Sequence, residues 1–336
     1  MYNYTMKKEI KHIAIVRLSA LGDIVNSAVV LQFIHKFYPQ VKIDWITEEV
    51  FSPLLKQHPL IENIITVNLK KVKKEKNLAL LQETIRTLKD TPRYDIVIDM
   101  QGLLKSAIVS KFLGVNRHGF DRNSTREALA SFFYTTRSNI EYQANVIQRN
   151  CFVVADALKF EITDKMLLEK QRIFPITKNY SFIEPNKNIA FIIGASWESK
   201  IFPKEKIALI CDALQEQCHI IWGNEDEKNT AQWICKHSDY ATLAPKLNLS
   251  ELISYISSMD LLIGNDTGPT HMAWAQNIPS ITLLGPTTTR MIYETPKNIG
   301  IKSSSNVNIL KINKQDFSIR EIEEQDIVKK AKELLK

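Results

Sequence analysis

Apolar residues come along this chain in short continuous runs, each closed by a polar loop and followed by apolar residues three or four positions apart. The run HIAIVRL (12–18) ends in SALGD, after which Ile24, Ala28, Leu31 and Ile34 recur at helical spacing. KIDWIT (42–47), IITVN (64–68) and DIVID (95–99) read as further strands, separated by helical patterns such as residues 78–88. Strands that alternate with helices predict a parallel sheet.

Around residues 176–188 the pattern lapses into Lys, Asn, Tyr and Pro185, the chemistry of a linker. The alternation then restarts. Strands are expected at 188–193, 219–222, 261–264 and 280–284, and helices at 204–217, 249–259 and 270–276. The expected architecture is therefore α/β: two doubly wound, Rossmann-like domains, residues 1–178 and 179–318, facing each other across a cleft. Ligands in such sheets sit beyond the carboxyl ends of the strands, which would give each domain one substrate. Residues 319–336 form a charged amphipathic helix with Ile322, Ile327, Val328, Ala331 and Leu334 on one face. That stripe fits docking back on the N-terminal domain, although the stripe itself names no partner.

With 336 residues, 44% of them hydrophobic, the chain is long enough to bury two cores. The first residues lack the apolar run of a secretory signal, and the longest charge-free stretch, 267–289, carries Gly268, Pro269, His271, Asn277, Pro279, Gly285 and Pro286. A cytoplasmic protein without a membrane span is the expectation. Cys151, Cys211, Cys218 and Cys235 show no C-x-x-C spacing, so they read as reduced thiols and no zinc site is expected.

Charge is spread unevenly. The net +7 of the chain divides into +9 over residues 1–178 (27 Lys and Arg against 18 Asp and Glu) and −2 over the remainder. The first half should meet something anionic: nucleic acid, an acidic headgroup surface, or a phosphorylated or carboxylated substrate. Basic and aromatic residues do not interleave as in nucleic-acid modules, so nucleic acid is the least favoured of these.

Four loops at strand ends carry candidate chemistry. GNDTGPTH (264–271) joins a strand to a helix, where exposed N–H groups and the helix dipole can bind phosphate; Asp266 or Thr267 as a simple cap is the equal alternative. WGNEDE (222–227) puts Glu225 just past a strand end, fit for ribose hydroxyls or for a solvated helix start. GASWESK (194–200) offers Lys200 as a point charge for a phosphate, or as a solvated loop lysine. SALGD (19–23) places Asp23 at a helix start, either as a cap or as a base for an attacking hydroxyl. Neither D-x-D nor G-x-G-x-x-G occurs; the first absence points away from a metal-held diphosphate and the second from a dehydrogenase.

Together RLSALGD (17–23), DMQGLLKSA (99–107), HGFDRNSTREALASFFY (118–134), GASWESKIFPKE (194–205), WGNEDE (222–227), NDTGPTHMAWA (265–275) and LLGPT (283–287) resemble the bacterial lipopolysaccharide heptosyltransferases of glycosyltransferase family 9, over nearly the full length. The resemblance implies a GT-B fold and an inverting, metal-independent transfer of L-glycero-D-manno-heptose from an ADP-heptose donor to a Kdo residue of the lipid A inner core. It also implies peripheral contact with the cytoplasmic face of the inner membrane. By position in matching motifs, Asp23 looks like the base and Lys200 like the donor-phosphate lysine. Ser196, Glu225, Leu247, Asp266, Thr267, Gly268 and His271 look like further donor contacts, with Glu225 on ribose and Leu247 on adenine. Ser19, Gly22, Arg126, Lys70 and Lys71 fall in acceptor-side elements. A heptosyl rather than a Kdo acceptor, or nucleotide binding without catalysis, are the rival readings.

Overall fold

The computed structural model describes residues 10–182 and 186–336; the residues before 10, from which the absence of an export signal is read, and Ile183–Pro185 of the linker lie outside it. Two six-stranded sheets are present, each parallel throughout. The first holds β1 (His12–Val16), β2 (Lys42–Glu48), β3 (Asn63–Val67), β4 (Ile96–Asp99), β5 (Arg117–Phe120) and β6 (Thr136–Ser138) in the order β3-β2-β1-β4-β5-β6. The second holds β7 (Asn188–Ile192), β8 (Gln217–Ile221), β9 (Ala241–Leu243), β10 (Leu261–Asn265), β11 (Ser280–Leu284) and β12 (Asn298–Lys302) in the order β12-β11-β10-β7-β8-β9.

Both sheets thus follow the doubly wound order, with the winding reversing between β1 and β4 in one and between β7 and β10 in the other. The central strands β7, β10 and β11 are buried along their whole length. Continuous apolar runs are what a parallel strand covered on both faces requires. The expected strands all form. Four others, β5, β6, β9 and β12, escape the periodicity because they are short or half-polar.

By proximity the chain forms two compact units, and their limits differ from a single cut at 178. The first takes in the chain up to Ser19, with Val29–Tyr142 and Arg149–Thr163; the second takes in Ala20–Ala28, Gln143–Gln148 and Asp164–Lys336. Residues 164–178 join the second unit through a strap. Ile173 N donates to Ala275 O at 2.9 Å, Phe174 N to Gln276 Oε1 at 3.0 Å, and the buried Lys170 ammonium to Ala275 O at 3.2 Å. These bonds close off the carbonyl end of the Gly268–Ala275 helix.

The carboxyl-terminal helix also departs from expectation. Instead of returning to the N-terminal domain, Glu324–Leu334 buries Ile327 and Ala331 in the same core as Ile189, Phe191, Ile210 and Ile263 of the second unit, together with Ile319 and Ile322. Lys206 fixes it, reaching Ile322 O at 2.8 Å and Glu324 at 3.2 Å. Gly285, at the end of β11, makes room, because a Cβ there would lie 2.6 Å from Ile319 Cβ and 2.9 Å from its backbone nitrogen. An amphipathic stripe states that a face must be covered and leaves open by what. The four cysteines are free thiols, and no helix among the described residues is long and apolar enough to cross a membrane.

Two buried histidines give the fold a pH dependence. His118 lies between Thr136 Oγ1 and Ser138 Oγ, each at 2.8 Å, and His219 between Asn188 Oδ1 at 3.1 Å and Tyr255 OH at 2.8 Å. Burial pushes both imidazoles from 6.5 down to about 4. Between those values only the unfolded chain takes up protons, so their contribution to stability is complete above pH 6.5 and is lost as the pH falls toward 4. Urea midpoints should therefore decline from neutral pH to about pH 4.5, and His219→Gln should flatten that decline; a flat profile in the parent would mean that the imidazoles are not held neutral.

Candidate active site

The reversal point of the second sheet collects most of the residues expected to contact a donor. Asn265, the last residue of β10, pins both ends of the loop after β7: its Nδ2 donates to Ile193 O at 2.9 Å and its Oδ1 accepts from Phe202 N at 3.1 Å. Asp266 follows, 2% exposed, and accepts from Lys200 Nζ at 2.9 Å on one oxygen while His271 Nε2 stands 3.2 Å from the other. Burial alone would raise this carboxyl, but the Lys200 charge, with His271, outweighs it and holds Asp266 well below the usual carboxylate range. Lys200 is therefore buried and ion-paired and is not a solvated loop lysine.

The Gly268–Ala275 helix begins two residues after Asp266. Its N-cap, Thr267, makes no side-chain cap bond, and Pro269 brings no N–H to the first turn. A helix start of this kind presents the positive end of its dipole, here beside the Lys200 ammonium.

Two glycines bring a segment from early in the chain against this turn. A Cβ on Gly22 would sit 2.6 Å from His271 Cδ2 and 3.3 Å from Gly268 Cα, and one on Gly268 would sit 2.6 Å from Leu21 Cγ. The Leu21–Ser27 helix thus packs directly on the start of the Gly268–Ala275 helix. Asp23 is the third residue of its helix, half-buried, with Oδ2 accepting from Ala20 N at 3.2 Å. It is one residue away from the glycine that abuts His271.

The two carboxylates of the loop and helix start after β8 are held differently. Glu225 opens the Glu225–Lys236 helix with its side chain 77% exposed, 3.6 Å from Lys228. The carboxylate turned onto the strand ends is Glu227. It accepts from Gly223 N at 2.6 Å and Asn224 Nδ2 at 2.9 Å, and its oxygen occupies the place where a Cβ of Gly194 would be, 2.3 Å away. Sequence reasoning passed over Glu227, although Asn224 three residues before it spells a capping box. Leu247 is half-buried in the loop after β9, next to Lys246, whose ammonium lies 4.5 Å over the Trp222 ring. Ser196 is exposed in the loop after β7.

In the first unit the corresponding reversal point is polar and cationic. Ser19 Oγ accepts from Lys105 Nζ at 3.0 Å and Gln101 Nε2 at 3.3 Å. Glu48, 3% exposed at the end of β2, is raised by burial, against the pull of the Leu69 and Lys70 amides and the charges of Lys105 and Lys70. Burial in turn lowers Lys105. Lys70 reaches this cluster through its amide and charge on Glu48, and the side chains of Lys70, Lys71 and Arg126 are exposed. Lys105 and Glu48 were missed as site residues; only the DMQGLLKSA segment hinted at the first.

A family model, glycosyltransferase family 9 (heptosyltransferase), matches residues 82–325. The chain is 40% identical over 341 aligned residues to lipopolysaccharide heptosyltransferase 1 of Campylobacter coli, covering 96% of this chain and 98% of that one. It belongs to glycosyltransferase family 9. To the heptosyltransferase 1 of Escherichia coli K12 it is 26% identical, over 90% of this chain and 97% of the relative. The structure of E. coli heptosyltransferase WaaC with ADP-2-deoxy-2-fluoro heptose superposes with a TM-score of 0.77 at 22% identity, over 96% of this chain and 99% of that one. The two Rossmann-like units are those of the GT-B fold. The protein is accordingly a glycosyltransferase.

The buried pair makes a prediction. Lys200→Ala leaves the Asp266 charge without its main partner and should cost about 3–5 kcal/mol of stability. Adding Asp266→Asn should restore much of that loss without restoring transferase activity. Chemical denaturation of both variants checks it, and an unchanged midpoint for Lys200→Ala would mean that the pair is not held as described.

Proposed function

We propose that the protein transfers L-glycero-D-manno-heptose from ADP-heptose to a Kdo residue of the lipid A inner core, with inversion and without a metal, at the cytoplasmic face of the inner membrane. The observation that carries this reading is the Lys200 ammonium, held by Asp266 at the N-terminus of the Gly268–Ala275 helix. Such a place suits a leaving diphosphate. Support for the substrates comes from the relatives, which are named lipopolysaccharide heptosyltransferases, and from the ADP-heptose analogue carried by WaaC.

In this reading the second unit holds the donor. Lys200, the Thr267 and Gly268 amides and His271 meet the diphosphate and sugar, and Asp266 holds Lys200 and His271 in place. Direct contact between Asp266 and phosphate is disfavoured, since both are anions. Leu247 faces adenine, and Glu225 with Ser196 completes the nucleotide contacts, with Glu227 as the carboxylate already turned onto the loops. The acceptor's carboxylate and phosphates meet the cationic first unit through Lys70, Lys71, Lys105 and Arg126, beside Ser19 and Gly22. The acceptor oxygen attacks C1 of the heptose as the bond from C1 to the phosphate oxygen breaks. The hydroxyl proton passes to Asp23, and the bonding pair leaves with ADP, whose added charge Lys200 and the helix start offset.

The decisive experiment is mass spectrometry of a Kdo-capped lipid A acceptor after incubation with ADP-heptose in EDTA, where the addition of one heptosyl unit is expected. Transfer only after a divalent ion is restored, or only to an acceptor that already bears heptose, would overturn the metal-free or the acceptor part respectively. Asp23→Asn should bind ADP as the parent does and lose about 10²–10⁴-fold in kcat; undiminished turnover would remove Asp23 from the role.

A further inference from the structure

The first unit exposes an apolar surface that its own folding does not account for. Leu104 and Ile108, one turn apart on the Leu104–Leu113 helix, are 36% and 39% exposed. Leu129 and Phe132, three apart on the Ala128–Phe133 3-10 helix and hence on one face of it, are 63% and 74% exposed. The two elements lie side by side. At one end Leu104 N donates to Glu127 Oε2 at 2.7 Å, at the other Lys111 Nζ stands 5.9 Å over the Phe133 ring, and between them Ala107, Ala130 and Tyr134 form a closed cluster. The inward stripe of each element is therefore filled, and the outward stripe is still apolar.

Cations surround it. Arg117 Nε donates to Phe133 O and Arg137 Nε to Ser131 O, each at 2.6 Å, which pins both guanidinium groups to the 3-10 helix. Lys111 comes from the neighbouring helix, and Arg126 is exposed just ahead of the 3-10 helix. Between positions 104 and 137 there are six Lys and Arg against two carboxylates. One of these, Asp121, is occupied by Asn123 N, Ser124 N and Asn139 Nδ2; the other is Glu127, already bonded to Leu104 N.

We infer that this surface seats the protein on an anionic phospholipid bilayer, with Leu129 and Phe132 entering the headgroup region and the surrounding Lys and Arg pairing with lipid phosphates. Isolated exposed leucines need no explanation, but an apolar stripe shared by two adjoining elements and rimmed by one sign of charge is the pattern of interfacial binding. Charge complementarity chooses the occupant. A neutral apolar partner would leave the cationic rim unused, and an acidic protein surface would leave the apolar stripe unused. The inference rests on the reading above that the acceptor is lipid-borne, and it names the part of the chain that would meet that lipid's membrane.

The test is co-sedimentation of the full-length protein with phosphatidylcholine vesicles, with and without phosphatidylglycerol. Binding is expected only when phosphatidylglycerol is present. Leu129→Ser/Phe132→Ser should lower the partition coefficient about tenfold or more, and Lys111→Glu should lower it as well. Both variants should keep the parent's melting midpoint and its rate on a deacylated, water-soluble Kdo acceptor. Equal sedimentation of the double variant and the parent, or equal parent binding to both vesicle types, would overturn the inference. A parent that ignores both vesicles would overturn it in favour of an acidic protein partner. Failure of the parent to glycosylate the soluble acceptor would instead count against the proposed reaction, since vesicle binding requires no turnover.

Discussion

A single buried carboxylate organises the strand-end turn of the second unit. Asp266 sits at the end of a fully buried strand, where an uncompensated charge would be far too costly, so the fold must bring positive partners to it. Lys200 comes from the loop after β7 and His271 from the helix after β10, the two strands between which the winding of the sheet reverses. Asn265 fixes both ends of the loop that carries Lys200, through the backbone at Ile193 and Phe202. Compensation of one charge thereby sets the position of a lysine and of a helix start, and these two cationic elements are what a diphosphate needs.

The same turn is reached from the other end of the chain. Residues 20–28 belong to the second unit, although Ser19, just before them, belongs to the first. Two glycines make that possible, because the Leu21–Ser27 and Gly268–Ala275 helices touch where neither can carry a Cβ. Asp23 is thus placed by the unit that holds Lys200 and His271, and its position is tied to theirs by packing rather than by any hinge of the chain. The strap from Lys170 to Phe174 secures the far end of the same helix. The helix is held at both ends.

The basic character of the first half also resolves into parts. Lys105 and Lys70 gather around Ser19 and Glu48 at the carboxyl ends of β1, β2 and β4, where a ligand of such a sheet is expected. Lys111, Arg117 and Arg137 instead border the exposed apolar stripe of residues 104–132. One compositional excess therefore falls in two places, a polar cluster at the strand ends and the border of an exposed apolar stripe.

The sequence by itself determined the class of fold and marked the polar loops at its strand ends. Parallel strands buried on both faces must be continuous apolar runs, so β1, β7, β8 and β10 were legible, and with them the loops holding Asp23, Lys200, Glu225 and Asp266. Those signals are local: they depend on a residue's neighbours in the chain. Tertiary structure alone decided which partners meet. It turned Glu227 rather than Glu225 onto the strand ends, brought Lys105 and Glu48 to Ser19, drew residues 164–178 into the second unit, and laid the last helix on that unit's core. Each of these outcomes depends on a contact between distant segments. An amphipathic stripe or a loop charge records that a partner is required, and only packing among the available surfaces selects it.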